Sequence, residues 1–484
     1  MTTIDYPELY IGGGWSRPAT SDRIQVTSPT TEEVIGSVPA GSTQDVDRAV
    51  AAARAAFDDP QGWSTWEPKQ RAEVLERFAS ELEARAGELS RRVSMQNGMP
   101  IWLAEQFEGG FPPVLLRYFS DLMVNAPDVD SRPGMLGGTA LVRRRPIGVV
   151  GAIVPWNVPQ AISFLKLAPA LAAGCTVVIK PAEETVLDAF LTAEAAAAAG
   201  LPDGVLNIVP GGRDTGAYLV EHPDIDKVSF TGSTAAGRKI AETCGRLLRP
   251  VTLELGGKSA AILLDDVDLS ASMESLFGAT LLNNGQICWL NTRVLAPTSR
   301  YDEVVDALTG LASSLTVGDP LDPETKIGPL VSSRQRDRVE GYIAKGKAEG
   351  GRMTTGGKRP SSLDAGWFVE PTIFADVDNN ATISREEIFG PVLSVIPFRD
   401  EAEALAIAND SEYGLGGTVW SADVDHAADI AAKVKSGTVG VNHYTNEPVA
   451  PFGGIKNSGM GRELGPEGLH AFQHLHTVYL PPAG

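Results

Sequence analysis

Between residues 147 and 244 short apolar runs alternate with helix-length segments, and this alternation constrains the fold more than any other feature of the chain. The run 148–154 has the form of a strand buried on both faces, since it lacks the apolar-polar alternation of a half-exposed one. A helical segment, 158–173, follows it. Then come a strand over 175–180, a helix over 187–199, a strand over 204–209, a helix over 215–221, a strand over 227–230 and a helix over 233–244. Repeated β-α units imply an α/β fold with a parallel, Rossmann-like sheet wrapped by helices. Such sheets take nucleotides at the C-terminal ends of their strands.

Around this block the pattern changes. Residues 10–42 alternate apolar and polar between Gly and Pro turns, as short antiparallel strands do. Residues 44–58 and 67–95 carry apolar side chains at helical spacing, which predicts two amphipathic helices, the first capped by Thr43 or Asp45. Residues 141–145 read as an exposed strand with three consecutive arginines. A second alternating block runs from 259 to about 398, with strands over 260–264 and 392–397, and 476–480 resembles a strand. With 484 residues the chain exceeds one ordinary core, so two or three domains are expected.

The formal net charge of −20 and a pI of about 4.8 make a surface that repels phosphate backbones, which argues against nucleic-acid binding. Three cysteines, Cys175, Cys244 and Cys288, form no disulfide framework and suit a reducing compartment. The acidic N-terminus lacks the pattern of a signal peptide. The apolar stretch 165–179 is interrupted by Lys166 and Pro169 and is too short to span a bilayer. A cytoplasmic protein with no membrane partner is expected. His470 and His474 would share a face if their segment were helical, but no Cys or carboxylate cluster with zinc spacing joins them, so no metal is expected.

Cys288 follows Asn284-Gly285-Gln286-Ile287, thirty-four residues after Glu254 in Leu253-Glu254-Leu255-Gly256-Gly257-Lys258. A thiol plus a carboxylate embedded in a Gly-Gly turn supply a nucleophile and a general base for covalent chemistry at a carbonyl. To act, the thiol needs activation, which a helix N-terminus or a nearby cation could give. Asn157, after Pro155-Trp156, offers an amide donor for an oxyanion, although an Asn beside Pro is also an ordinary turn residue. Phe230-Thr231-Gly232-Ser233 joins a strand to a helix start, where backbone N–H groups can hold a phosphate; it also fits a plain Ser cap, and the GxGxxG pattern is absent. Lys180 and Glu183 end another strand at the same sheet edge and suit ribose hydroxyls.

These motifs, with Glu387-Ile-Phe-Gly-Pro391 and Pro451-Phe-Gly-Gly-Ile-Lys456, occur in one order along the chain, and together they resemble the NAD(P)-dependent aldehyde dehydrogenase superfamily, of the hydrolytic type. The resemblance runs from Tyr10 to Gly465. It implies that Cys288 forms a thiohemiacetal and then a thioester, that Asn157 and the Cys288 N–H form the oxyanion hole, and that Glu254 activates water. It assigns Lys166 and Glu463 to a proton relay. It assigns Ile153, Trp156, Lys180, Glu183, Gly232, Ser233, Leu255, Glu387 and Phe389 to the cofactor, with Glu183 favouring NAD over NADP. It assigns Val158, Leu165, Trp289, His443 and Tyr444 to the aldehyde pocket. The implied domains are a dinucleotide-binding domain (1–127 and 147–253), a catalytic domain (254–446), and an oligomerisation arm with the C-terminal segment (128–146 and 447–484). Unpaired strand edges in that arm imply a homodimer or homotetramer.

The chain departs from the family's pattern at Trp289 and Leu290, where small residues usually follow the cysteine, at Asn97-Gly98-Met99-Pro100, and at Leu165, often an aromatic position. No arginine cluster stands near Trp289 or in the 442–448 loop, so an uncharged, apolar or aromatic aldehyde is expected. Two alternatives stand beside this reading: an acylating enzyme that passes the acyl group to CoA, which a water-activating Glu254 disfavours, and a catalytically silent binding or structural protein.

Overall fold

The computed structural model describes residues 3–127 and 129–482. Asp128, where the expected arm begins, and its last two residues, Ala483 and Gly484, lie outside the described residues. The β-α alternation builds an eight-stranded sheet. Its order is Gly459–Met460, Val251–Glu254, Lys227–Thr231, Val149–Ile153, Thr176–Lys180, Leu206–Ile208, Leu9–Ile11 and Gly14–Ser16. The five strands from Val251–Glu254 to Leu206–Ile208 are parallel, and the short strands at both edges run antiparallel. Val149–Ile153, Thr176–Lys180 and Lys227–Thr231 are buried at every residue, because helices cover both faces.

A second sheet of seven strands runs Arg352–Thr355, Thr372–Ala375, Val392–Phe398, Arg293–Pro297, Ala260–Leu263, Thr418–Trp420 and Gly440–Val441, parallel except for the first pair. A separate three-stranded antiparallel sheet joins Asp130–Pro133 and Thr139–Pro146 to Gln473–Leu480. At one edge of the eight-stranded sheet, Gly459–Met460 returns from the C-terminal part of the chain beside Val251–Glu254, with Leu253 opposite Met460.

Three local expectations are corrected. The first helix, Thr43–Asp58, is capped by Ser42, whose hydroxyl accepts from the Asp45 N–H while the Asp45 carboxylate accepts from the Ser42 N–H. Asp45 is thus the reciprocal half of a capping box, and Thr43 is its first helical residue. The helix expected over 67–95 is two helices, Pro68–Glu83 and Ala86–Asn97; at Arg85 the backbone turns to ψ 4° and its N–H bonds three residues back, to Leu82. His470 and His474 share no helix face: Gly465–His470 ends there, and the chain enters Gln473–Leu480, pulled extended by pairing with Thr139–Pro146.

Candidate active site

The thiol sits on a loop whose backbone is set by three successive left-handed residues: Asn283 (φ 50°), Asn284 (φ 60°) and Gly285 (φ 76°). Asn tolerates this region, and at Gly285 a Cβ would lie 2.2 Å from the Gly390 carbonyl carbon, so only glycine fits. The Asn284 amide donates to Gly98 O and Pro329 O, both at 2.9 Å, and its oxygen accepts from the Gly328 N–H at 2.6 Å. Gln286 accepts from the Val331 N–H at 3.1 Å. The loop is thereby fastened to segments distant in sequence before it delivers Cys288.

Burial pushes the Cys288 thiol well up, and the Glu387 and Glu254 carboxylates push it further. The Cys288 and Trp289 N–H groups pull in the other direction, without reversing the shift. A base must therefore take its proton during attack.

Asn157 follows the strand Val149–Ile153. Its Nδ2 donates to Gln286 O at 2.9 Å, and its second amide proton remains for the cavity it lines. Its own carbonyl accepts from Asn97 Nδ2 at 3.1 Å and Asn283 Nδ2 at 3.0 Å. The unusual Asn97-Gly98 pair thus has a structural task in holding the Asn157 backbone.

Glu254 ends the strand Val251–Glu254 and is 2% exposed. Burial first, then the Glu463 carboxylate, push its carboxyl well above the usual range; Lys166, Arg462 and the Gly454 N–H pull it back. Lys166, buried in the helix Pro159–Ala173, donates to Glu463 at 2.6 Å and to the Thr231 hydroxyl at 2.7 Å. Glu463 and Thr231 line the cavity, while Lys166 stands behind its wall.

Two cavities meet at the thiol. The first, about 550 Å³, is lined by Val158, Leu165, Trp289, His443 and Tyr444 together with Phe107, Phe111, Val114, Ile162 and Phe452; Asn157, Glu254 and Cys288 close its inner end. Trp289 stacks on Tyr444, with ring centroids 4.5 Å apart and planes 18° apart. Among the described residues no lysine or arginine lines this cavity. The second, about 440 Å³, shares Asn157, Thr231 and Cys288 with the first and is lined by Trp156, Gly232, Ser233, Leu255, Glu387 and Phe389. A third, about 570 Å³, continues it past Ser233 to Ile153, Lys180, Glu183 and Gly212. All the residues expected at the cofactor line this groove, and those expected at the aldehyde line the first cavity.

The groove suits a dinucleotide. Ser233 caps the thirteen-residue helix Thr234–Arg246 and leaves the first-turn N–H groups at the groove for a phosphate. Lys180 donates to Pro181 O and Gly211 O, at 2.9 and 2.7 Å, which fixes its amine beside Glu183 for ribose hydroxyls. Glu387 accepts from the Gly257 N–H at 2.9 Å, and burial lifts its carboxyl to about 7. Trp156 and Phe389 meet edge to face at 5.3 Å, with Phe389 at φ 62° and its carbonyl accepting from Gln335 Nε2 at 2.6 Å.

Sequence reasoning missed Arg334, Gln335 and Arg338, which line the groove from the start of the helix Ser333–Ala348. It also missed Phe107 and Phe111 in the aldehyde cavity. Thr231 lay inside a quoted motif, and its position one residue before Gly232 at a strand end was a usable signal. Among the described residues no cluster of His, Cys, Asp and Glu could hold a metal ion, and no helix is long and apolar enough to cross a membrane.

The chain belongs to the aldehyde dehydrogenase family, whose model matches residues 15–478. It is an enzyme that oxidises aldehydes to carboxylic acids. It is 57% identical, over 99% of both chains, to geranial dehydrogenase of Castellaniella defragrans. Among solved structures it resembles an aldehyde dehydrogenase of Mycobacterium tuberculosis complexed with NAD+, with a TM-score of 0.97, 49% identity and 100% of both chains covered. It also resembles a mutant aldehyde dehydrogenase C of Pseudomonas syringae complexed with NAD+ and octanal, with a TM-score of 0.95, 39% identity, and 100% and 99% of the two chains covered.

Proposed function

We propose that the protein oxidises extended, uncharged apolar aldehydes with NAD, through a covalent intermediate on Cys288 that is then hydrolysed. The observation that carries this reading is the position of Cys288: its thiol stands where an apolar cavity without a cation meets the cofactor groove, with Asn157 and Glu254 at the same junction. The Castellaniella relative, named for a terpenoid aldehyde, supports the same substrate class.

The steps follow from the groups present. Cys288 Sγ attacks the aldehyde carbon and passes its proton to a base, for which Glu254 is the nearby candidate. Negative charge on the former carbonyl oxygen is met by the free Asn157 amide proton and the Cys288 N–H. NAD held in the groove by Trp156, Ser233 and Glu387 would supply the hydride acceptor that takes the carbon on Cys288 Sγ from the aldehyde to the thioester level. Glu254 must first pass the thiol proton on, to solvent or towards the Glu463 carboxylate, and can then take one from the attacking water; burial and Glu463 raise its affinity for protons. Glu463 and Lys166 lie behind it to receive charge. Glu183 at the ribose end disfavours a 2′-phosphate, so NAD is preferred to NADP.

The proposed organisation is a dinucleotide-binding domain of 1–127 and 147–253, a catalytic domain of 254–446, and an arm of 128–146 with 447–484. We assign the protein to the cytoplasm as a homodimer or homotetramer.

The test is an aldehyde panel of graded length and charge, read by NADH formation. Octanal and a branched ten-carbon enal should give the highest kcat/KM, and aldehydes bearing a carboxylate or an ammonium group the lowest. Preference for a charged aldehyde would overturn the substrate class. Retained turnover in Cys288→Ala would overturn the mechanism.

A further inference from the structure

The helix Pro159–Ala173 begins directly after the oxyanion donor Asn157, yet its own N-cap residue is Val158, which has no side-chain acceptor. The first-turn N–H groups of a buried helix need acceptors. Here the acceptor comes from fifty-two residues away. Glu108 Oε2 accepts from the Gln160 N–H at 2.7 Å and faces the Ala161 N–H.

Glu108 is fully buried, and its other oxygen has no hydrogen-bond partner among the described residues. It lies in the π-helical turn Glu105–Gly110, a rare conformation often associated with functional sites. The same turn places Gln106 and Phe107 in the wall of the aldehyde cavity, and Phe111 follows immediately. The helix it caps places Ala161, Ile162 and Leu165 in the wall of the same cavity. Gln160 in turn ties the cap into a buried network: its Nε2 donates to Asp188, and its oxygen accepts from the Thr192 hydroxyl at 2.7 Å. Gln96 also donates to Asp188. One carboxylate thus bridges two segments of the cavity wall and the turn that carries Asn157.

We propose that Glu108 is a positioning residue for the oxyanion hole, acting through the Gln160 and Ala161 N–H groups to hold Asn157 and to fix the width of the aldehyde cavity. This rests on the reading of Asn157 as the oxyanion donor. The role requires an acceptor at this point in either charge state. Burial and the Asp188 carboxylate push the Glu108 carboxyl up, while the backbone N–H groups pull it down. A neutral acceptor of the same shape should therefore serve.

A double-mutant cycle tests this, with kcat and KM measured at saturating NAD for a short and a long apolar aldehyde. Asn157→Ala should lower kcat by about 10²–10³-fold. Glu108→Ala should lower kcat by about 10–100-fold, the scale of a small misplacement of a catalytic group. It should also change the KM ratio of long to short aldehyde. In the Asn157→Ala background the same substitution should cost kcat less than about threefold, because the group it positions is gone. Glu108→Gln should restore kcat to within about threefold of the wild type. If Glu108→Ala does not fold, Glu108→Asp, one methylene short of the helix, should give an intermediate loss with the same non-additivity. Losses that multiply in the double mutant, or a Glu108→Gln enzyme as impaired as Glu108→Ala, would overturn the proposal. An Asn157→Ala enzyme with wild-type kcat would instead overturn the oxyanion reading beneath it.

Discussion

Trp289 follows the nucleophile in sequence, and the structure gives it a definite place. It is 7% exposed, lines the aldehyde cavity and stacks on Tyr444, whose hydroxyl pairs with Thr438 at 2.5 Å. The stack makes a flat, rigid wall one residue from the nucleophile. Trp289→Ala should enlarge the cavity and free Tyr444, shifting the ranking of aldehydes by size. One methylene is worth about 1–3 kcal/mol in such discrimination, so the shift should be tens-fold in kcat/KM. If all aldehydes lose activity equally, the indole supports the Cys288 loop and does not select substrate. Lys258 presents a different question. It is 1% exposed, its amine has no hydrogen-bond partner among the described residues, and burial, then Arg293, lower it to about 7. The unfolded chain holds this proton up to about 10.5, whereas the folded chain releases it near 7. Stability from this group is therefore fully present above 10.5 and is lost as pH falls towards 7. Lys258→Met should be more stable than the wild type at neutral pH, by about 1–3 kcal/mol, and the gap should narrow as pH rises. Guanidinium unfolding at neutral and alkaline pH measures it; a less stable variant at neutral pH would show that the amine is compensated.

At the scale of elements, the site depends on the loop 283–288 more than on any single strand. Asn284→Ala would leave Gly98 O, Pro329 O and the Gly328 N–H without their partner, each worth about 1–3 kcal/mol when buried. The variant should lose at least about 2 kcal/mol of stability by denaturant titration. Its kcat should fall more than its KM rises, because the loop positions the thiol and not the cavity walls. A variant with normal kcat would show that Gly285 and Gln286 alone hold the loop. This fastening was not legible in the sequence, since its partners lie 186 and 45 residues away. The same holds for Glu108 on the helix Pro159–Ala173, at 52 residues, and for Lys166 with Thr231, at 65. The parallel strands were legible because burial on both faces leaves continuous apolar runs, which need no knowledge of the partner. The convergence of Cys288, Glu254 and Asn157 was expected from the order of several short motifs along the chain, since Asn157 beside Pro155 alone fitted an ordinary turn residue better. Ser42 was missed because Thr43 and Asp45, its close neighbours, are also residue types that cap helices.

For the whole molecule the remaining question is assembly, and the small sheet bears on it. Asp130–Pro133, Thr139–Pro146 and Gln473–Leu480 form a three-stranded sheet with Thr139–Pro146 at its centre and the other two as edge strands. Their turn exposes Met135 and Leu136 completely, at 102% and 101%, and Tyr479 is 81% exposed. A three-stranded sheet is marginal without packing on one face, and bare edges invite pairing with another chain. The exposed Arg144 and Arg145 on the central strand oppose Leu475 and His474, so the sheet is charged at its base and apolar at its tip. With a net charge of −20, unspecific association of two copies is disfavoured, and a defined apolar contact backed by arginines is the route left open. The expected consequence is that the double variant Met135→Asp, Leu136→Asp lowers the mass found by light scattering by a whole number of subunits. NADH formation per remaining folded chain should persist, because every residue proposed for the site comes from one chain. A wild-type mass of a single chain, or a variant with unchanged mass, would remove the arm from the assembly. Loss of activity in step with mass would mean that the arm steadies Glu463, which lies ten residues before Gln473 in the same C-terminal segment.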